Sequence, residues 1–255
     1  MKLGLVTYNL AKDWDISTII KRCSATGFKG VELRTTHVHK VEVDLSKEER
    51  EEVKKQFADS PIELVGLGSA FEYHALNPEE VRRNIEGTKE YVKLAYDVGA
   101  PGVKVRPNGF QDKAGIPREK TLEQIGLALR ECGEFAQNFG VEIRLEVHGP
   151  ETCKVPYIQR IMEIANHKNV FVCWNSNLTD VDEKGSVKSN FNLVKDKIHL
   201  VHINELYRED YPWQEFFSLL EEEGYKGFCL AEIPESCEPE RLMKYYRALF
   251  KAYAG

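Results

Sequence analysis

Eight short apolar runs recur along the chain: LGLVTY, GVEL, IELVGL, GVKV, VEIRLE, VFVCW, HLVHI and FCLAE. Each has the length and β-branched content of a strand buried on both faces. Between them lie segments with apolar residues every three or four positions, the period of an amphipathic helix, most evident over 80–97, 121–138, 212–223 and 239–253. Helix starts are marked at Ser46-Lys-Glu-Glu49 and Thr121-Leu-Glu-Gln124, which read as capping boxes, and at Asn77-Pro78, an N-cap followed by proline. A glycine pattern closes the units: Gly27-Phe-Lys-Gly30, Gly99-Ala-Pro-Gly102 and Gly224-Tyr-Lys-Gly227, with a shorter form at Gly140. The first glycine suits a left-handed helix cap, and the second is expected to begin a tight turn into the next strand.

Eight strand runs with helical segments between them, within 255 residues, predict one (β/α)8 TIM barrel domain spanning 1–255, of the α/β class. An open doubly wound sheet is the rival, but no G-x-G-x-x-G opens a helix.

Four polar residues close the last four strand runs at spacings of about 27 to 30: Glu146, Asn175, His202 and Glu232. Parallel strands of a barrel bring their C-terminal ends to one rim, where barrel active sites are built. Alternation along the strands puts Arg144, Glu146 and His148 on one face, Lys104 and Arg106 on one face, and Leu200, His202 and Asn204 on one face. Charges inside a barrel are costly unless paired or bound to a metal. Two carboxylates, an imidazole and an amide make a hard shell suited to Mn²⁺, Mg²⁺ or Co²⁺, with Zn²⁺ the softer choice. A structural salt-bridge layer is the alternative for Lys104, Arg106 and Arg144.

The net charge of −6 gives no general attraction to phosphate backbones, so no nucleic-acid partner is expected. No apolar run is long enough to span a membrane. The six cysteines form no C-x-x-C pair, and MKLGLVTYNL reads as a strand rather than a secretory leader. The expected compartment is the reducing cytoplasm; the oligomeric state, a homo-oligomer included, is left open.

From KLGLVTYN through GFKGVELR to LAEIPES, the chain resembles the xylose isomerase-like TIM barrels, the sugar phosphate isomerase/epimerase superfamily. In that family a Glu, an Asp, a His and a Glu after strands five to eight hold a divalent metal, and Glu146, His202 and Glu232 match three of these positions. Ketose 3-epimerases of the family carry a Glu three residues and an Arg six residues after the His, as Glu205 and Arg208 stand here. One departure is plain: where the family reads Asp-Thr-x-His, this chain reads Asn175-Ser176-Asn177-Leu178. An amide in place of a carboxylate removes one negative charge and weakens metal binding.

The resemblance implies proton transfer next to a carbonyl through an enediolate, with Glu146 and Glu232 as the acid/base pair and a small sugar, sugar phosphate or related polyol as substrate. It implies that His148, Arg208, Glu205 and Asn177 contact the sugar. Lys104 and Arg106 suit an anionic group, in the manner of a clamp. His37 and His39, after the second strand, are further candidates for sugar or metal. Two other readings stand beside this one: a keto-sugar or inosose dehydratase or lyase that begins with the same enolisation, and a non-catalytic carbohydrate-binding barrel.

Overall fold

The computed structural model describes all residues 1–255. Strands β1 (Lys2–Val6), β2 (Gly30–Arg34), β3 (Glu63–Glu72), β4 (Gly102–Arg106), β5 (Glu142–Glu146), β6 (Val170–Asn175), β7 (Ile198–Ile203) and β8 (Phe228–Ala231) alternate with helices. The helices are α1 (Ile16–Thr26), α2 (Lys47–Ala58), α3 (Pro78–Val98), α4 (Arg118–Ala136), α5 (Val155–Ala165), α6 (Lys188–Val194), α7 (Trp213–Glu222) and α8 (Pro239–Ala254). All neighbouring strands pair in parallel and β1 pairs with β8, closing a (β/α)8 barrel as the repeat predicts.

The alternation along each strand separates two apolar layers. Outward residues such as Val31, Leu33, Val103 and Leu145 join the large core under the helices. Inward residues form a smaller plug of six: Val6, Val65, Cys173, Leu200, Phe228 and Leu230. Leu200 lies in that plug, so His202, two residues on, also faces inward, as expected from strand alternation. The plug fills the base of the barrel and leaves its C-terminal mouth to polar side chains.

The capping box at Ser46 forms, with Glu49 Nα donating to Ser46 Oγ at 3.2 Å and Ser46 Nα to Glu49 Oε2 at 2.7 Å. Asn77 caps α3 ahead of Pro78. The box expected at Thr121 does not form, because α4 starts a turn earlier, after Pro117. Thr121 is buried within the helix, and Gln124 Nε2 instead donates to the Tyr73 and Ala75 carbonyls.

Gly27 and Gly99 are the left-handed caps of α1 and α3, each at φ 81°. The second glycine of the pattern corrects the expectation of a turn. Gly102 is already the first residue of β4, and a Cβ there would stand 2.5 Å from the Arg144 side chain. Its smallness makes room for a buried arginine, which donates to the Val65 carbonyl at 2.8 Å and to Glu142 at 2.8 Å. Arg144 is therefore part of the structural layer at the foot of the barrel.

Candidate functional site

The register carries the four strand-end residues to one place. Asn175 and His202 are cross-strand partners, beyond a register shift in which β7 carries one extra residue, His199. Asn175 Nδ2 donates to Glu146 Oε1 at 3.0 Å and to Glu232 Oε2 at 3.1 Å. His202 Nδ1 lies 3.3 Å from Glu146 Oε1 and 3.8 Å from Glu232 Oε2. One ligand atom from each of Glu146, His202 and Glu232 falls within 4.8 Å of the others, the spacing of a shared cation.

Glu32 on β2 completes this centre from the opposite side. It is fully buried, its Oε1 is 3.4 Å from His202 Nε2, and neither of its oxygens has a hydrogen-bond partner. Alternation along β2 turns it inward between the outward Val31 and Leu33, and Gly68 leaves it space: a Cβ there would be 2.7 Å from Glu32 Oε1. A carboxylate behind a ligating imidazole fixes its ring and raises its basicity.

Lys104 enters the same centre, with Nζ 2.8 Å from Glu146 Oε2 and the pair almost wholly buried. Burial alone would raise the Glu146 carboxyl, but Lys104 and His202 outweigh it and hold Glu146 well below the usual carboxylate range. Glu232 lacks a lysine partner; burial, with Glu146 beside it, pushes its carboxyl above the usual range. Burial opposes the charged form of His202, yet Cys173, Glu32 and Glu146 around it push the imidazole well above its ordinary value. Cys173, itself pushed up to about 11 by burial, remains a thiol, so the carboxylates supply the charge that acts on His202.

The donor set fits a divalent metal. Asn175 Oδ1 and both ring nitrogens of His202 are buried without hydrogen-bond partners. An uncompensated buried acceptor costs roughly 1–3 kcal/mol. Turning the Asn175 amide over would aim Oδ1 at two carboxylates, a repulsion that a cation among them offsets. Glu146, His202 and Glu232 would hold the metal, with the Asn175 oxygen as the fourth donor.

Above this centre opens a cavity of about 300 Å³. Glu146, Glu232, Asn175 and Asn204 line its acidic floor; Tyr8, Arg34, Arg106 and His148 line its opposite wall. His148 Nδ1 lies 3.0 Å from Asn108 Oδ1. Burial lowers its pKa, and the charges of Lys104, Arg106 and Arg34 lower it further against the pull of Glu146. A neutral His148 that donates Nδ1–H to Asn108 keeps Nε2 as an acceptor for a hydroxyl. Asn177 also lines the cavity, its Nδ2 donating to the Val147 and Asn175 carbonyls at 2.8 Å each.

Four of the expected substrate residues stand outside this cavity. Arg208 pairs with Asp210 at 2.7 Å, and Glu205 is half-buried beyond the lining. Both ring nitrogens of His39 serve its own loop, Nε2 against the Arg34 carbonyl at 2.8 Å and Nδ1 accepting from Val41 Nα at 3.0 Å. His37 meets Thr7 Oγ1 at 3.0 Å and faces a separate surface hollow. Glu32, Arg34 and Tyr8 are the residues that sequence reasoning missed. Inward parity within GVELR was the available signal for Glu32 and Arg34.

A family model for the xylose isomerase-like TIM barrel matches residues 20–253. The chain belongs to the xylose isomerase-like TIM barrel family. Within the family, an inosose isomerase from Halalkalibacterium halodurans is 24% identical over 248 residues, covering 89% of this chain and 86% of the relative. Among solved structures, D-psicose 3-epimerase from Clostridium cellulolyticum H10, with D-tagatose, superposes with a TM-score of 0.79 at 16% identity, over 100% of this chain and 99% of that one. An IOLI protein with a binding zinc atom superposes with a TM-score of 0.75 at 19% identity, over 99% of this chain and 96% of that one.

Proposed function

We propose that the chain is a divalent-metal-dependent isomerase or epimerase of a small keto-sugar or keto-polyol. The observation that carries this reading is the Glu146–His202–Glu232 cluster at the floor of a sugar-sized cavity, with the two carboxyls shifted in opposite directions. Paired titratable groups pushed apart in this way mark an acid and a base. The relatives named as an inosose isomerase, a D-psicose 3-epimerase and a zinc-binding structure support the reading.

When bound, a divalent cation supplies Lewis-acid polarisation of the substrate carbonyl and hydroxyl oxygens. Glu146, kept ionised by Lys104, takes the proton from the carbon beside the carbonyl. The C–H electron pair becomes the second bond of an enediolate, and the carbonyl π pair moves onto oxygen. Glu232, the carboxyl that holds a proton more readily, returns one to the opposite face in an epimerase or to the adjacent carbon in an isomerase. His148 Nε2 accepts a sugar hydroxyl, and Lys104 compensates the charge left on the floor. The Glu32–His202 contact keeps the imidazole fixed, so Nδ1 faces the two carboxylates throughout.

The test is turnover of a panel of keto-sugars and keto-inositols with added Mn²⁺, followed by NMR. Glu146→Gln and Glu232→Gln are each expected to lower turnover by about 10³-fold. Unchanged turnover in both variants would remove the assigned pair. A product that has lost water would point to elimination after enolisation instead.

A further inference from the structure

The two arginines of the cavity wall are not used by the chemistry above; Arg34 has no acidic partner in the protein, and Arg106 has one at long range. Arg34, at the end of β2, makes no ion pair; its guanidinium lies 5.3 Å from the ring of Tyr8, which shares the wall. Arg106, at the end of β4, reaches Glu72 at 3.5 Å and the Ala70 carbonyl at 3.2 Å through one nitrogen. Its Nε is buried without a partner. Lys104 differs from both: its Nζ is committed to Glu146 at 2.8 Å. Positive charge is thus committed on the floor at Lys104, open on the wall at Arg34, and only partly engaged at Arg106.

Both guanidiniums, at the ends of β2 and β4, line one cavity with Tyr8 and His148. A desolvated cation without a partner is costly, and a guanidinium fork matches the oxygens of phosphate or carboxylate. A neutral sugar in this cavity would leave Arg34 without a counter-charge and Arg106 with only its 3.5 Å contact to Glu72.

We propose that the substrate carries an anionic group, phosphate or carboxylate, which Arg34 and Arg106 hold on the wall while its carbonyl end reaches Glu146 and Glu232. The inference rests on the isomerase reading and extends it, because it makes this chain selective for a charged sugar where its named relatives carry the names of uncharged ones. Tyr8 forms the apolar side of the same subsite, with the Arg34 guanidinium carbon over its ring at 5.3 Å from the centre.

The experiment is a binding and turnover comparison on the full-length, Mn²⁺-loaded protein with D-fructose, D-fructose 6-phosphate and D-fructuronate. Calorimetry reads Kd, and NMR reads turnover. At least one anionic sugar is expected to bind about 10- to 100-fold tighter than D-fructose. Which one does so separates phosphate from carboxylate. Arg34→Met and Arg106→Met are each expected to bring the anionic-to-neutral ratio close to one, and Arg34→Lys to leave part of it. Melting curves confirm that the variants are folded; Arg34→Lys, which keeps the charge, serves should a methionine variant fail to fold. Equal affinity for charged and uncharged sugars, or a preference untouched in the variants, overturns the proposal. Anion-selective binding without turnover of any sugar keeps this subsite and overturns the isomerase reading. Efficient turnover of D-fructose with no anionic preference does the reverse.

Discussion

The two halves of the barrel mouth are built to opposite electrostatic designs. At the ends of β5–β8 stand two carboxylates, an amide and an imidazole in contact with one another, Glu146, Asn175 and His202 buried and Glu232 partly so. On β2 and β4 stand two half-buried guanidiniums with little or no acidic partner. The acidic half satisfies itself only in part: it borrows Lys104 from β4 and Glu32 from β2, and still leaves Asn175 Oδ1 without a partner. The basic half leaves its charges facing the cavity. The difference separates a floor preorganised for a cation and a proton from a wall preorganised for a substrate.

The strongest way to break this comparison is to remove the charge that links the halves. Lys104→Met strands Glu146 as a buried carboxylate, and breaking such a pair costs about 3–5 kcal/mol. Urea unfolding should show that loss, and added Mn²⁺ should recover more stability in the variant than in the parent. Arg34→Met, by contrast, should change stability by no more than about 0.5 kcal/mol, because no internal pair is lost.

Next in size is the support of His202. Glu32→Gln is expected to weaken Mn²⁺ affinity by about 10- to 100-fold, measured by calorimetric titration. A Kd unchanged by this substitution would make Glu32 a bystander. Asn175→Asp should act in the other direction. A fourth donor with a full charge tightens Mn²⁺ binding by about tenfold, read by the same titration.

The finest probe is His148, which feels both halves. Burial and the three cations lower its pKa, whereas Glu146 raises it. In metal-free protein, NMR titration should place His148 below its ordinary 6.5; Arg34→Met and Arg106→Met should each move it up, and Glu146→Gln should move it further down. For stability the sign is fixed. A histidine whose folded pKa is depressed contributes stability above its unfolded pKa, and that contribution is lost as the pH falls through the folded value. His148→Gln should therefore flatten the decline in stability below pH 6.5.

The acidic half was legible in the sequence because its members repeat with the fold. Each closes a strand run, at spacings of about 27 to 30, and strand parity aims each inward. The (β/α)8 count followed from the same periodicity, with the glycine pattern marking the joints. Glu32 was not legible in its role, because the contact with His202 joins β2 to β7 across the barrel, between strands that are not neighbours. Arg34 was hidden for a related reason: a charged residue ending a strand looks alike whether it is paired or free. His39 looked available for a ligand, but its two loop hydrogen bonds arise from the path of the backbone, with Lys40 beside it at φ 56°. Tyr8 is the ring that lines the cavity, whereas Trp174 and Tyr73 are wholly buried in the core under the helices.

Solvent deuterium exchange tests the central claim most directly. The Mn²⁺-loaded protein, incubated in D₂O with keto-sugars and keto-inositols, should place one carbon-bound deuterium beside the carbonyl of its substrate, and Glu146→Gln and Glu232→Gln should each slow that exchange by about 10³-fold. Product formed without deuterium, or exchange at the parent's rate in both variants, would contradict the assignment of Glu146 and Glu232 as the groups that move the proton.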